Sequence, residues 1–496
     1  MSDRTSLTVA SFFALALVGY AFALQFSTPH LGSIDGYFHI RYSAVLRESG
    51  WQGFPPAFPW LPLTILSADR YFDHHMLFHL WLAPFTTGDL IRGAKLAAAL
   101  SAAAAFLALY LFLLRWRIAR AEWWAVATLA VAPGFLYRME MPRVQPWSLV
   151  FLLMALHLCL RRRAVWLLPL AWIYTWLYDA FPLLLAICGS AGLAQWLRQR
   201  SAPWRPALYA CAGTAGGLLA SPYFPNNLRF IGHHYGAKLL MHERVIAGSE
   251  WHPPALAEWL GWGGLVAILI ALAIALYRHR ADLDERQWTT IFVATLFFAL
   301  WWRSSRFIEY FVPFAPLALA FTSHSRVHEF LRTRPHAGRR ALMATLVVWL
   351  AITSALAVQQ LRGRPPASRY AAAARWLATH SAPATLVFLA DWDDFPLLFF
   401  HNTVNRYVIG LDPSYLAERD RDLYAAWERI VAGEDTQPGA TIFTRFGAAV
   451  AFTDPLQTAF INAMDRDRQA TRAYEDEECI VYRIRPPALT RRRSHS

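Results

Sequence analysis

Charge is what this 496-residue chain has least of. Asp, Glu, Lys and Arg make up 16% of it, whereas a typical soluble domain carries about 25%. With 56% of residues apolar, there is too little polar surface to cover the hydrocarbon, which excludes a simple soluble globule. Lysine occurs only at Lys95 and Lys238, so basic positions are almost all arginine. Cysteine is equally scarce. Cys159, Cys188 and Cys211 lie in apolar runs and Cys479 stands alone, and the absence of any CxxC spacing excludes a zinc ribbon or a disulfide framework. No repeat of solenoid length is present. Acids are sparse in the front of the chain: the first 364 residues hold 32 basic against 17 acidic residues, and the remainder holds 15 against 17. The net charge of +13 is therefore carried by an apolar, cationic front, and it does not mark a nucleic-acid footprint.

Long hydrophobic runs are what the chain has in abundance. A spanning helix needs about 20 mostly apolar residues, and candidates fall at 6–25, 91–114, 122–137, 144–160, 164–178, 180–197, 206–221, 258–277, 288–302, 307–322 and 341–360. Placing Arg4 inside and alternating puts Arg115/Arg117/Arg120, Arg161–Arg163, Arg198/Arg200/Arg205, Arg278/Arg280/Arg286 and Arg326/Arg332/Arg334/Arg339/Arg340 on one side. With Arg4 these are 18 of the 32 basic residues, as the positive-inside rule requires. Segment 71–87 carries Asp73, His74, His75 and His79, which are costly in lipid. It reads as an interfacial piece of a long outer loop.

The expected fold is a polytopic α-helical membrane protein of about eleven spans over 1–360, with outer loops 26–90 and 222–257. An extracytoplasmic α/β domain follows over 361–496. The expected location is the inner or plasma membrane, with the N-terminus cytoplasmic.

The outer side carries few groups able to do chemistry. Asp35 opens an amphipathic stretch, and His39 follows at i,i+4, so both can point into one cavity or Asp35 can simply cap a helix. Glu140 lies in the short 138–143 turn and Glu250 in Ser249-Glu250-Trp251-His252-Pro253. Arg303 and Arg306 sit on the outer side against the charge rule, where an arginine can grip a phosphate bidentately or snorkel to headgroups.

The order of these groups resembles the catalytic subunit of oligosaccharyltransferases, within the GT-C superfamily of polytopic glycosyltransferases. Asp35-Gly-Tyr-Phe-His-Ile-Arg41 resembles the first-loop Asp with its aromatics, and Pro133-Gly134 through Arg138 resembles a Pro-Gly…Ser-Arg helix end. Ser249-Glu250…Pro253 is similar to the fifth-loop Ser-Glu…Pro element, and Arg306 with Pro313 to an Arg…Pro helix near the donor phosphates. Asp391-Trp392-Asp393-Asp394, followed by Asn405-Arg406, stands where the family has Trp-Trp-Asp and a following Asn-Arg.

Two departures are visible. The acidic pair that binds a divalent metal in the second outer loop has no counterpart in Arg143-Val144-Gln145-Pro146-Trp147, and Trp-Trp-Asp is altered.

The resemblance implies inverting transfer of a sugar or oligosaccharide from a polyprenyl-(di)phosphate donor to a protein, lipid or glycan acceptor on the outer face. It implies Asp35 and Glu250 as the catalytic pair, and Arg306, Arg303 and His39 at the donor phosphate. Trp392, Asp393 and Asp394 would meet the acceptor. A Mg²⁺ or Mn²⁺ ion wants several oxygen ligands. Asp35, Glu140 and His74 are the residues available for one, and metal-independent transfer is the alternative. A single-sugar transferase, a transporter and a non-catalytic membrane protein are the competing readings, although transporters usually show paired repeats.

Overall fold

A computed structural model of the chain describes residues 3–200, 203–240, 249–255, 263–279 and 282–486. The start of the expected 258–277 span, Arg280, parts of the 222–257 loop and the last ten residues of the tail lie outside the described residues. The chain divides into two compact units. One comprises 1–44, 74–224 and 248–364, and the other 45–73, 225–247 and 365–496.

The first unit is helical. Its early elements are α1 (Asp3–Gln25), α2 (Asp35–Ser49, whose last turn belongs to the other unit), α3 (Met76–Leu82) and α4 (Leu90–Arg115). Next come α5 (Ala121–Ala130), α6 (Pro133–Met139), α7 (Gln145–Leu160), α8 (Leu167–Leu177), α9 (Pro182–Gln199) and α10 (Trp204–Leu219). Helices Gly263–His279, Glu285–Arg303, Ile308–Thr333 and His336–Arg362 complete it. Sequence explains several boundaries. The Asp89 carboxylate accepts from the amides of Ile91 and Arg92 and starts the alanine-rich α4. Asp284 and Gln287 form a reciprocal capping box at Glu285–Arg303.

Among the described residues, three helices are long and apolar enough to cross a membrane: Thr8–Gln25, Leu90–Arg115 and His336–Arg362. Several of the other expected spans form shorter apolar helices. The 122–137 run shows one cause. Pro133 has no N–H to continue a helix and disfavours helical backbone in the residue before it, so Ala132 is extended and the run breaks into α5 and α6. Segment 71–87 yields only the seven-residue α3 and a 3-10 turn, Ala83–Thr86. At 1.5 Å per residue, α3 is about 10 Å long, well short of a hydrocarbon core of about 30 Å.

Within this unit α4 packs on α1 and α7, and α9 on Glu285–Arg303. A hydroxyl chain ties α7, α8 and Ile308–Thr333 together: Tyr310 donates to Ser148 at 2.8 Å, and Ser148 Oγ lies 2.6 Å from Tyr174 Oη.

The second unit is α/β. Its strands are β1 (Leu386–Leu389), β2 (Arg406–Tyr407), β3 (Val450–Thr453), β4 (Ala470–Glu475) and β5 (Ile480–Ile484), in the order β2-β1-β3-β5-β4. β1 runs parallel to β2 and β3, and β5 is antiparallel to β3 and β4. The central β3 is buried at every position, as expected for a strand covered on both faces. Residues 45–73 belong to this unit. Trp60 donates to the Thr403 carbonyl at 2.8 Å and meets Phe399 edge-on, while its own carbonyl accepts from Tyr407 N–H. Half of the expected first outer loop is therefore folded into the tail domain.

Candidate active site

In the first unit, three carboxylates and three guanidiniums meet. Asp35 opens α2, Arg138 ends α6, and Arg143 precedes α7. Glu250 lies in the Ser249–Trp251 turn, Arg306 in the Ser305–Phe307 turn, and Glu309 at the start of Ile308–Thr333.

Glu250 is the hub. Its Oε1 takes Arg306 at 3.0 Å, and its Oε2 takes Arg138 at 3.1 Å and Arg143 at 3.4 Å. Arg143 reaches on to Asp35 at 3.3 Å, and Arg138 Nε reaches Glu309 at 2.7 Å. Arg306 also donates to Tyr178 at 2.8 Å and lies over the Trp251 ring.

Local structure fixes each arm. The Ser304 and Ser305 hydroxyls donate to the Glu250 carbonyl at 2.8 and 3.2 Å, and Ser305 N–H to the His252 carbonyl, which pins the Glu250 turn to the Arg306 turn. The Arg138–Arg143 turn abuts the first turn of α2 so closely that a Cβ on Gly36 would collide with the Pro142 ring. Glycine at 36 is what lets Asp35 approach Arg143.

Exposure grades across the cluster. The Glu309 side chain is 1% exposed, whereas those of Glu250 and Asp35 are 26% and 28% exposed. The open end is thus the Asp35–Glu250 end, and the closed end is the buried Arg138–Glu309 ion pair. Burial pushes the Glu250 carboxyl up, but Arg306, Arg143 and Arg138 together hold it well below the usual carboxylate range. A carboxylate held that way is a poor proton acceptor and a good organiser of cations.

The other expected residues are placed as follows. Arg303 is exposed at the end of its helix and makes none of these bonds. His39 is buried, with Nδ1 2.8 Å from His79 Nε2, and His75 packs edge-on to it and stacks on Tyr178. The His74 ring packs against His75, tilted by 50° with centroids 4.1 Å apart. Glu140 is fully buried. With the Gln25 amide in its satisfied orientation, that amide donates to the Glu140 carbonyl and carboxylate at 2.8 and 2.9 Å, and Oε1 has no hydrogen-bond partner. Burial pushes the Glu140 carboxyl up, against the opposing pull of Lys95.

Asp35, Glu140 and His74 therefore do not form a metal site. Asp35 meets a guanidinium, Glu140 points inward, and among the described residues no three His, Cys, Asp or Glu are grouped to hold an ion. A hard divalent cation needs several convergent oxygens, which Asp35, Glu140 and His74 do not bring together.

In the second unit, Trp392 and Asp393 are half-buried in the turn after β1, and Asp394 is buried. The Asp394 Oδ1 accepts from Tyr370 at 2.7 Å and Oδ2 has no partner. The Asp394 carboxylate is thus turned inward on Tyr370. Burial, then Asp391, raise its pKa well above the ordinary value.

Sequence reading missed Arg143 and Glu309 as site residues. Two signals were available. Arg138 and Arg143 flank a turn expected on the outer side, against the charge rule, as Arg303 and Arg306 do, and Glu309 follows Arg306 at i,i+3.

The fold is similar to that of solved oligosaccharyltransferase and ArnT structures. The chain superposes on the oligosaccharyltransferase of Archaeoglobus fulgidus in its apo form with a TM-score of 0.63 and 13% identity, covering 89% of this chain and 69% of that one. It matches the same organism's AglB, in complex with an inhibitory peptide and a dolichol-phosphate, with a TM-score of 0.64 and 13% identity over 90% and 69%. ArnT from Cupriavidus metallidurans, bound to undecaprenyl phosphate, matches with a TM-score of 0.54 and 15% identity over 97% of this chain and 98% of that one. At these identities the likeness is one of fold. No family model and no curated protein sequence matches the chain.

Proposed function

We propose that this chain is a membrane glycosyltransferase. It moves a sugar or oligosaccharide from a polyprenyl-(di)phosphate donor to a protein, lipid or glycan acceptor on the extracytoplasmic side. The observation that carries the reading is the convergence of Asp35, Glu250 and Arg306, joined by Arg143, within a GT-C fold.

The chemistry follows from the geometry. Asp35, at the open end, takes the proton of the acceptor nucleophile as that atom bonds to the anomeric carbon. The bond from the anomeric carbon to the phosphate oxygen breaks on the opposite face, giving inversion. Arg306 and Arg143 meet the charge that develops on the departing phosphate. Glu250 holds both guanidiniums in place and does not take the proton itself. Trp392 and Asp393 remain the acceptor-side candidates in the tail.

The end-to-end match to ArnT favours a second form of the reading, a single-sugar transferase acting on a lipid or glycan. Both forms place the N-terminus in the cytoplasm and the tail outside.

The test is transfer from a labelled polyprenyl-linked sugar by purified protein. Asp35→Asn is expected to lower turnover by about 100-fold or more, the scale of a general base, with the protein still folded and membrane-inserted. Full turnover by Asp35→Asn removes Asp35 from the chemistry. Arg306→Ala is expected to weaken donor use more than acceptor use, and equal losses on both would mark a purely structural arginine.

A further inference from the structure

The first unit has a second built site, at the helix ends remote from Asp35. Arg143 stands just before α7 and Arg161 just after it. The 16 residues of α7 separate its two ends by about 24 Å.

At the far end, α4, α7 and α8 enclose an apolar groove of about 940 Å³ whose walls include Leu111, Leu153, Met154, Leu170 and Ile173. That volume is in the range of small-molecule sites, about 300–1,000 Å³. The groove shares Arg115, His157, Leu158 and Trp166 with a polar pocket of about 390 Å³, which Arg161 and Arg163 complete. Hydrocarbon-lined space thus runs into a recess bearing three guanidiniums.

The neighbouring acid does not neutralise them. Glu285 is occupied by Arg162 at 2.7 Å and Gln199 at 2.8 Å. Among the described residues no carboxylate pairs with Arg115, Arg161 or Arg163. Arg161 instead lies over the Trp116 ring, 4.6 Å from its centroid, and donates weakly to the Arg115 carbonyl. Scattered arginines are enough to fix topology. Three unpaired arginines closing the end of an apolar groove are arranged for an amphiphile with an anionic head.

We propose that this groove binds one anionic phospholipid of the leaflet opposite the active site. Its acyl chain lies between α4, α7 and α8, and its phosphate lies among Arg115, Arg161 and Arg163. The site rests on the membrane-spanning reading and is independent of the transferase chemistry.

Native mass spectrometry of the full chain in detergent tests it, with phosphatidylglycerol, phosphatidylcholine and glycerol phosphate as probes. Phosphatidylglycerol is expected to be retained over phosphatidylcholine. The double variant Arg115→Gln/Arg163→Gln is expected to weaken it by about tenfold or more, since each basic residue near a charged lipid surface contributes on the order of 1 kcal/mol. Ala108→Trp, which fills the groove without touching the charges, is expected to weaken it too. Arg117→Gln/Arg120→Gln, which removes equal charge from the turn after α4 outside the pocket, is expected to bind as the wild type does.

Equal retention of the two lipids overturns the proposal, as does wild-type binding by both groove variants or an equal loss in the control pair. Glycerol phosphate binding as tightly as the lipid would make the recess a free-phosphate site instead. A chain that washes off membranes in alkaline carbonate fails the membrane reading itself, whereas one that stays and ignores phosphatidylglycerol fails this site alone.

Discussion

At the scale of single residues, the division of labour between Asp35 and Glu250 is electrostatic. Both are acids near arginine, yet Glu250 contacts three guanidiniums and Asp35 contacts one. Because the folded pKa of Glu250 is depressed, the stability it contributes is fully present above the unfolded value, about 4.3. It is lost as pH falls through the lower folded value. Glu250→Gln is therefore expected to lower the thermal midpoint at neutral pH by an amount that shrinks as pH falls below about 4. An unchanged difference across that range would separate Glu250 from the three arginines.

Asp394 behaves with the opposite sign. Its raised pKa makes stability greatest below the unfolded value of about 3.9, and stability declines as pH rises towards the folded value. Asp394→Asn keeps an acceptor for Tyr370 and removes the ionisable group. It is expected to leave stability at neutral pH equal or higher by about 1–3 kcal/mol, read by denaturant unfolding of the full chain. Destabilisation would show that the Asp394 charge is used.

At the scale of elements, the site depends on a turn that has no room to move. The Arg138–Arg143 turn supplies two of the three guanidiniums, and Pro142 within it rests on Gly36. Gly36→Ala pushes α2 off the turn. It is expected to cost activity by more than tenfold through loss of the Asp35–Arg143 contact, a scale consistent with misplacement near 1 Å, while circular dichroism still reports native helix content. Wild-type activity in Gly36→Ala would show that Asp35 works without Arg143.

Much of this level was legible beforehand. Asp35, Glu250 and Arg306 stood out because charge is scarce in the loops that the positive-inside reading assigns to the outer side. Arg143 and Glu309 did not, since one more arginine in a turn and one acid at a helix start look like topology and capping until the partners are seen. The pairing of Trp60 with Thr403 and Tyr407 was invisible for a different reason: contacts across more than 300 residues leave no periodicity in the sequence.

At the scale of the whole molecule, the excess of arginine separates into two populations. One lies at helix ends and in loops, where the positive-inside reading places it and where Arg115, Arg161 and Arg163 line the proposed lipid site. The other comprises Arg138, Arg143 and Arg306, bound to acids in the candidate site. Asp35 meets the Arg143 guanidinium, so under the proposed transfer the chain itself supplies positive charge for a leaving phosphate. Transfer is accordingly expected to survive exhaustive chelation. Activity recovered only on adding Mg²⁺ or Mn²⁺ would show that other residues assemble an ion site once substrate is bound.

The central claim is that Asp35, oriented by Arg143, takes the acceptor proton in a glycosyl transfer. The most direct measurement is single-turnover transfer from a labelled polyprenyl-linked sugar by purified wild-type and Asp35→Asn protein, with donor binding followed in parallel. The expected result is donor bound by both proteins, and sugar transferred by the wild type at least about 100-fold faster. Equal transfer rates, or no transfer by the wild type from any polyprenyl-linked sugar, would contradict it.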